Sequence, residues 1–186
     1  MKKILCLLII LLISTGLLSC STSYRMTTEQ KLDLYRDFIK DWQERQKTEG
    51  WTDAKVFEVY EECLTYTKYR FDVDDHMDTY KEILQKGMVG DCEDFAIFIY
   101  GTFKRLNYPY RIRIALVSHM LYEDDHALIH IELPSGKWEY LETVMMNAME
   151  GPFYKPLFEG DENHIYKPGT DEILSWQKES AILAGL

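Results

Sequence analysis

The chain has 186 residues, 46% of them hydrophobic, 13% aromatic and 28% charged, with a formal charge of -10. That length suits one domain, and the balance of apolar and charged residues is globular, which excludes a disordered or collagen-like chain. An excess of 31 acidic over 21 basic residues argues against a general affinity for nucleic acid, and four cysteines are too few for a disulfide scaffold.

Met1-Lys2-Lys3 is a short basic start, followed by an apolar run over 4–12 and a mixed stretch to Leu18. A membrane span needs about 20 apolar residues, so this segment reads as a secretory signal. It ends in Leu17-Leu18-Ser19-Cys20, which resembles the bacterial lipobox. The resemblance implies that residues 1–19 are removed and that Cys20 carries a thioether-linked diacylglycerol and an amide-linked acyl chain. Several chains anchor a protein stably where a single one is marginal. Residues 20–26 then form a lipidated tether, and 27–186 a single domain in the cell envelope, on the periplasmic or cell-surface side. Ser21 after Cys20 favours the outer membrane under the common Gram-negative sorting pattern. Losing Lys2 and Lys3 but no acid deepens the net charge from -10 to -12.

Thr27 and Gln30 stand at capping-box spacing ahead of a helix carrying Tyr35, Phe38, Ile39 and Trp42, with Gly50 as its stop. Thr52 or Asp53 caps a second helix with the stripe Val56, Val59, Tyr60, Cys63 and Leu64, on which Cys63 reads as a buried structural thiol. An acidic loop over 72–78 leads to a short helix over 78–85, ended by Gly87. Gly90-Asp91-Cys92 opens a third helix with Phe95, Ala96, Ile99, Phe103 and Leu106 on one stripe. Alternation then begins: Arg111 and Arg113 against Ile112 and Ile114 in a strand to Val117, followed by strands over 126–133 and 138–144. The remainder, with Pro152, Pro156 and Pro168, reads as irregular until a short helix over 171–183. Helices first and strands afterwards predict one α+β domain.

Cys92 sits at the start of an amphipathic helix, where unpaired N–H groups and the helix dipole favour a thiolate, so it reads as a nucleophile rather than a packing residue. A cysteine nucleophile needs a base, and the base an orienting acceptor; His126 and Glu142 are the candidates. A three-residue loop Pro134-Ser135-Gly136 with Gly136 left-handed closes the hairpin between Leu133 and Lys137 and sets Glu142 opposite Leu128. His126 and His130 are then its diagonal neighbours, roughly 7–8 Å away along the backbone, which a Glu side chain spans. A two-residue loop would turn Glu142 to the other face.

Gly90-Asp91-Cys92-Glu93-Asp94-Phe95-Ala96, then Asp125-His126-Ala127, then Tyr140-Leu141-Glu142 resemble the bacterial transglutaminase-like cysteine peptidases, in the same order of Cys, His and acid. The resemblance covers residues 69–144, and the chain departs from it in having Glu142 where that family usually has Asp. It implies a papain-like fold, with Cys92 at a helix N-terminus packed on an antiparallel sheet that carries His126 and Glu142. It also implies acyl transfer through a thioester on protein or peptide substrates. One oxyanion donor is then the Cys92 backbone N–H, and the second an upstream side chain, Tyr80 or Gln85. A transglutaminase using an amine acceptor, or a catalytically silent binding lipoprotein, are the alternatives.

Asp91, Glu93 and Asp94 flank the thiol, and Glu123, Asp124 and Asp125 precede His126. Carboxylates gathered around a thiolate raise its pKa, and a hard cation with oxygen ligands relieves this. Some members of the resembling group depend on calcium through acids beside the nucleophile. That maps to Asp91 and Glu93, with Asp94 as a further candidate; the alternative is that these acids simply offset the helix dipole. The chemistry itself requires no cofactor. His126 and His130 lack the glutamate and the helical spacing of a zinc-protease motif. The acidic loop lacks the glycine and glutamate of a calcium loop at Met77 and Ile83. His76, His119 and His164 read as surface or structural.

Overall fold

A computed structural model describes residues 26–71, 77–119, 125–144 and 154–176. The expected signal and nearly all of the tether, most of the acidic loop, and most of the helix expected over 171–183 fall outside the described residues.

Helix α1, Thr28–Glu49, begins where the capping box expects it. The Gln30 N–H donates to Thr27 Oγ1 at 3.2 Å, and the Thr27 N–H donates to Gln30 Oε1 at 2.9 Å. Its stripe of Tyr35, Ile39 and Trp42 is buried. Helix α2, Asp53–Tyr66, is capped by Thr52 and buries Val56, Val59, Cys63 and Tyr66. Strand β1, Lys68–Tyr69, follows, then helix α3, Tyr80–Gln85, which is capped by Thr79 and Glu82. Strand β2, Val89–Gly90, pairs parallel with β1, Tyr69 opposite Gly90.

Helix α4, Cys92–Arg105, is the centre of the molecule: ten consecutive residues, from Asp94 to Phe103, are buried. A helix enclosed on every side lies between layers, and α4 packs on α2 and α3 on one side and on the sheet on the other. That sheet contains β3 (Ile112–His119), β4 (Asp125–Glu132), β5 (Trp138–Leu141), β6 (Tyr154–Gly160), β7 (His164–Tyr166) and β8 (Ile173–Trp176) in the order β5-β4-β3-β6-β7-β8. All its pairings are antiparallel. Ile112, Ile114, Ala127, Ile129, Ile131 and Leu141 join the α4 core, while the opposite face holds a small cluster of Ala115, Val117 and Leu128. The expected α+β architecture is what the chain adopts.

The C-terminal third differs from the irregular segment and helix expected there. Residues 154–160, 164–166 and 173–176 are strands. Pro156 is accommodated because it lies opposite Val117, where the β3–β6 register shifts, so its missing N–H costs no regular ladder bond. Ile173 to Trp176 pair with β7 instead of coiling, because an open strand edge supplies partners that a local pattern cannot reveal.

The face of the sheet away from α4 also departs from simple alternation. Arg113, expected on a polar face, is buried against Glu159, with Nη1 3.2 Å from Oε2. Glu159 is further held by His130 Nδ1 at 3.0 Å, the Tyr140 hydroxyl at 2.8 Å and the Gly169 N–H at 2.9 Å. Arg113 also donates to the Thr170 carbonyl and to Asp171. His130 stacks on Tyr140 with centroids 4.0 Å apart, and the Arg113 guanidinium lies 3.9 Å from the Tyr166 ring centre. Buried charges persist when they are paired, and this set fastens β6 and the segment after β7 to the first three strands of the sheet.

Burial works against the Glu159 carboxylate, but His130, the Gly169 N–H and Tyr140 outweigh it and hold the carboxyl at about 2. Its contribution to stability is therefore complete above the ordinary value of 4.5 and is lost as pH falls toward about 2. Glu159→Gln should cost about 3 kcal/mol in urea unfolding at pH 7, because it leaves Arg113 buried without its charge partner. The difference from the wild type should narrow steadily in unfolding curves recorded below pH 4.5.

Candidate active site

Cys92 is the first residue of α4, and the chain enters it through Asp91 in an extended conformation. Gly90 makes this entry feasible. A Cβ there would come within 2.1 Å of Asp94 Oδ2 and 2.6 Å of Asp94 Cβ, so only glycine lets the Asp94 side chain fold back over the chain. Asp94 Oδ1 accepts the Asp78 N–H at 3.0 Å, and Asp78 is in turn paired with Lys86 at 2.5 Å. The segment before Cys92 is thus tied to the first turn of the helix. Asp94 faces inward for this purpose, buried at 2% exposure.

The Cys92 thiol is partly buried and donates to Glu93 Oε2 at 3.0 Å. The helix dipole favours its thiolate. Burial, the bond to Glu93 and the charges of Glu93 and Asp91 oppose it, and a hydrogen bond from the Ala127 backbone offsets only part of this. The thiol is pushed up to about 12. The same crowding acts on the acids. Burial, Glu93 and Asp94 raise Asp91 to about 7. Glu93 stays below its usual value despite its burial, because Cys92, Asp91 and the His126 charge favour its ionised form.

His126 lies on β4 and Glu142 just past the end of β5, and the predicted hairpin brings them together. Gly136 is left-handed at φ +84°, the Leu133 N–H donates to the Lys137 carbonyl at 2.7 Å, and Ile129 pairs with Leu141 and His130 with Tyr140. This register carries Glu142 to the side of His126, whose Nε2 is 2.5 Å from Glu142 Oε1. The same Oε1 accepts the N–H groups of Thr143 at 2.8 Å and Val144 at 3.2 Å. Tyr60 of α2 holds the Glu142 carbonyl at 2.7 Å, and Thr143 Oγ1 donates to the Ala127 carbonyl at 2.6 Å. Burial disfavours the Glu142 carboxylate, but the His126 ring and the two N–H donors outweigh it and keep the carboxyl below its ordinary value. With Nε2 engaged by Glu142, Nδ1 is the nitrogen a base would turn toward a thiol. The influence of the Ala127 backbone on Cys92, and of His126 on Glu93, places the Cys92 thiol near this pair.

Of the upstream oxyanion candidates, Tyr80 is buried, its hydroxyl bonded to that of Tyr35, and Gln85 is exposed at the end of α3. Tyr80 therefore serves the core, as does Cys63, which burial raises to about 12. The Cys92 N–H lies in the first turn of α4, where N–H groups have no intrahelical partner. Asp125 is exposed, and Glu123 and Asp124 fall outside the described residues. His126 and His130 bind different carboxylates, Glu142 and Glu159, and no group of three or more His, Cys, Asp or Glu among the described residues is arranged to hold a metal ion.

Tyr69 is the site residue that the sequence did not single out. It lies opposite Gly90 and meets the Phe95 ring edge-on at 6.4 Å, and burial, with the nearby charges of Cys92, Asp91 and Glu93, raises its hydroxyl. Only a two-residue parallel pairing brings it there, and no local pattern announces such a pairing.

No protein-family profile matches the chain, and neither does any curated protein sequence. Solved structures do. Calcium-bound LapG of Legionella pneumophila is similar with a TM-score of 0.66 and 21% identity, over 86% of this chain and 91% of that one. The EGTA-treated form of LapG gives 0.68 and 19% over 87% and 89%. A candidate cysteine protease from Cytophaga hutchinsonii gives 0.52 and 14% over 70% and 43%. The chain thus has the mixed helix and antiparallel-sheet fold of these proteins.

The charge around the thiol sets a measurable expectation. In protein prepared without calcium, Cys92 should be alkylated only slowly by iodoacetamide at neutral pH, and Glu93→Gln, which removes the nearest carboxylate, should speed that alkylation. Cys63→Ala as a background removes the second thiol, which titrates in the same range.

Proposed function

We propose that this chain is a cysteine peptidase or amide hydrolase, held at the bacterial cell envelope by a lipid on Cys20 and acting on proteins or peptides outside the cytoplasm. The observation that carries the reading is the His126–Glu142 bond at 2.5 Å, its carboxylate braced by two backbone N–H groups, beside a thiol at the start of a buried helix. A carboxylate that fixes the angle and tautomer of an imidazole next to a thiol is the arrangement nucleophilic acyl transfer requires.

In this reading His126 takes the Cys92 proton and the sulfur attacks an amide carbonyl. The first-turn N–H of Cys92 donates to the developing oxyanion. Collapse breaks the C–N bond, the imidazolium gives its proton to the leaving amine, and a thioester remains. Water, deprotonated by His126, cleaves the thioester and returns the thiol and a carboxylic acid. A transglutaminase would differ only in using an amine in place of water, and a binding lipoprotein would lack turnover altogether.

Calcium fits the donor chemistry. Asp91 and Glu93 offer hard oxygen ligands where unbalanced negative charge raises both Asp91 and Cys92, whereas one oxygen of Asp94 is already engaged by Asp78. A cation bound there would supply the positive charge that these groups lack. That LapG, which shares the fold, is calcium-bound in a solved structure supports a role for calcium.

The test is hydrolysis of unfolded casein by the purified protein. Cys92→Ala and His126→Ala should abolish it, and Glu142→Gln should lower kcat/KM by about 10²- to 10⁴-fold while the fold is retained. Turnover undiminished in Cys92→Ala would refute the reading. EGTA should suppress activity and added calcium restore it; full activity in excess chelator would remove the metal from the scheme. Cys20→Ala should shift the protein from the detergent to the aqueous phase in Triton X-114 partitioning.

A further inference from the structure

Tyr60 is a half-buried residue of α2 whose hydroxyl donates to the Glu142 carbonyl at 2.7 Å, 82 positions along the chain. The bond falls where the sheet stops helping. The last ladder pair of β4 and β5 is Ile129 with Leu141, so the main chain at Glu142 lies beyond the regular pairing. Two side-chain bonds act there instead, one from each side. The buried Thr143 hydroxyl donates to the Ala127 carbonyl at 2.6 Å and ties the segment to β4. Tyr60 ties it to α2.

The tie to α2 reaches further than the tie within the sheet. Val56, Val59 and Cys63 of α2 are fully buried in the core they share with α4, and the Tyr60 ring packs against that core. Helix α4 begins with Cys92. A bond from α2 to Glu142 therefore relates the acid to the helix that carries the thiol, whereas the Thr143 bond joins two parts of one sheet. Helix α2 also holds the other end of the hairpin, where Asp53 Oδ1 accepts the Ser135 N–H at 3.0 Å. A glutamate has one more rotatable bond than an aspartate, so a small rotation of its main chain moves the carboxylate further. Burial and the Glu142 charge push the Tyr60 hydroxyl up to about 12, which keeps it a donor at any ordinary working pH.

We propose that Tyr60 is a positioning residue of the site: its hydroxyl fixes the main chain at Glu142 against the Cys92 helix, and so sets the angle at which Glu142 holds the His126 ring. The inference rests on the peptidase reading, in which His126 serves Cys92, and adds a residue that acts through Glu142. Glu142 Oε1 lies 2.5 Å from His126 Nε2, so a shift of the acid is felt at once by the imidazole.

Tyr60→Phe removes one oxygen and keeps the ring. In the purified full chain with calcium present, it should lower kcat on unfolded casein about ten-fold, the worth of one hydrogen bond, and leave KM little changed. In a Glu142→Gln background the same substitution should have almost no further effect, because residues that act as a unit are not additive. Proton NMR reads the same contact without turnover, since an imidazole N–H bonded to a carboxylate resonates far downfield. That signal should be present in the wild type, absent from Glu142→Gln, and broadened or moved upfield in Tyr60→Phe, whose circular dichroism should match the wild type. Should Tyr60→Phe fail to fold, 3-fluorotyrosine at position 60, a stronger donor on the same ring, should shift the resonance instead. An equal loss with and without the Glu142 carboxylate, a raised KM at unchanged kcat, or a resonance that neither substitution moves overturns the role of Tyr60 and leaves the peptidase reading intact. Wild-type protein that leaves casein uncut would instead strike at the peptidase reading, and the resonance would then decide the role of Tyr60 by itself.

Discussion

One turn decides whether this molecule has a site at all. The side-chain period of a strand is two, so a loop shorter or longer by one residue between β4 and β5 would send Glu142 to the other face of the sheet. The left-handed Gly136 and the Leu133–Lys137 closure set the register, and the hairpin tip is pinned by the Ser135 N–H donating to Asp53 Oδ1 at 3.0 Å. Tyr60 and Thr143 then hold the few residues beyond the strand. Glu142 lies past the last ladder pair, so these side-chain ties complete what the hairpin begins.

The helix that presents Cys92 is constrained in a different way. Its burial on all sides leaves α4 no freedom to slide or rotate, and Gly90 with Asp94 locks the chain just ahead of it. Rigidity of this kind brings the thiol to the imidazole but concentrates charge. The helix dipole works for the thiolate; burial, Glu93 and Asp91 work against it and prevail. The balance leaves Cys92 a thiol at neutral pH. Part of the acidity that first counted only against nucleic acid is gathered here, around the Cys92 thiol.

The two faces of the sheet solve separate problems. One joins α4 in an apolar core; the other encloses an Arg113–Glu159–His130 network. His126 and His130, four residues apart on one strand, accordingly have unlike roles, one bonded to the carboxylate beside the thiol and the other to a structural acid. The fold is shared with the LapG structures at about one-fifth identity, which leaves the chemistry to rest on these particular residues.

Much of this was legible in the sequence because it is local. The Thr27–Gln30 capping box, the stripes of α1, α2 and α4, the position of Cys92 at a helix start, and the hairpin that sets Glu142 beside His126 all follow from spacing over a few residues. Other features depend on partners far along the chain. Residues 154–160, 164–166 and 173–176 became strands because open edges were waiting for them, against a local pattern of prolines and weak helical periodicity. Arg113 was buried by Glu159, forty-six positions away, and Tyr80 was drawn into the core by Tyr35. Tyr69 reached the thiol through a two-residue parallel pairing. Local order obeys backbone periodicity and capping, which the sequence writes directly; long-range pairing depends on which edges and cavities the rest of the chain leaves open, and only the folded structure decides that.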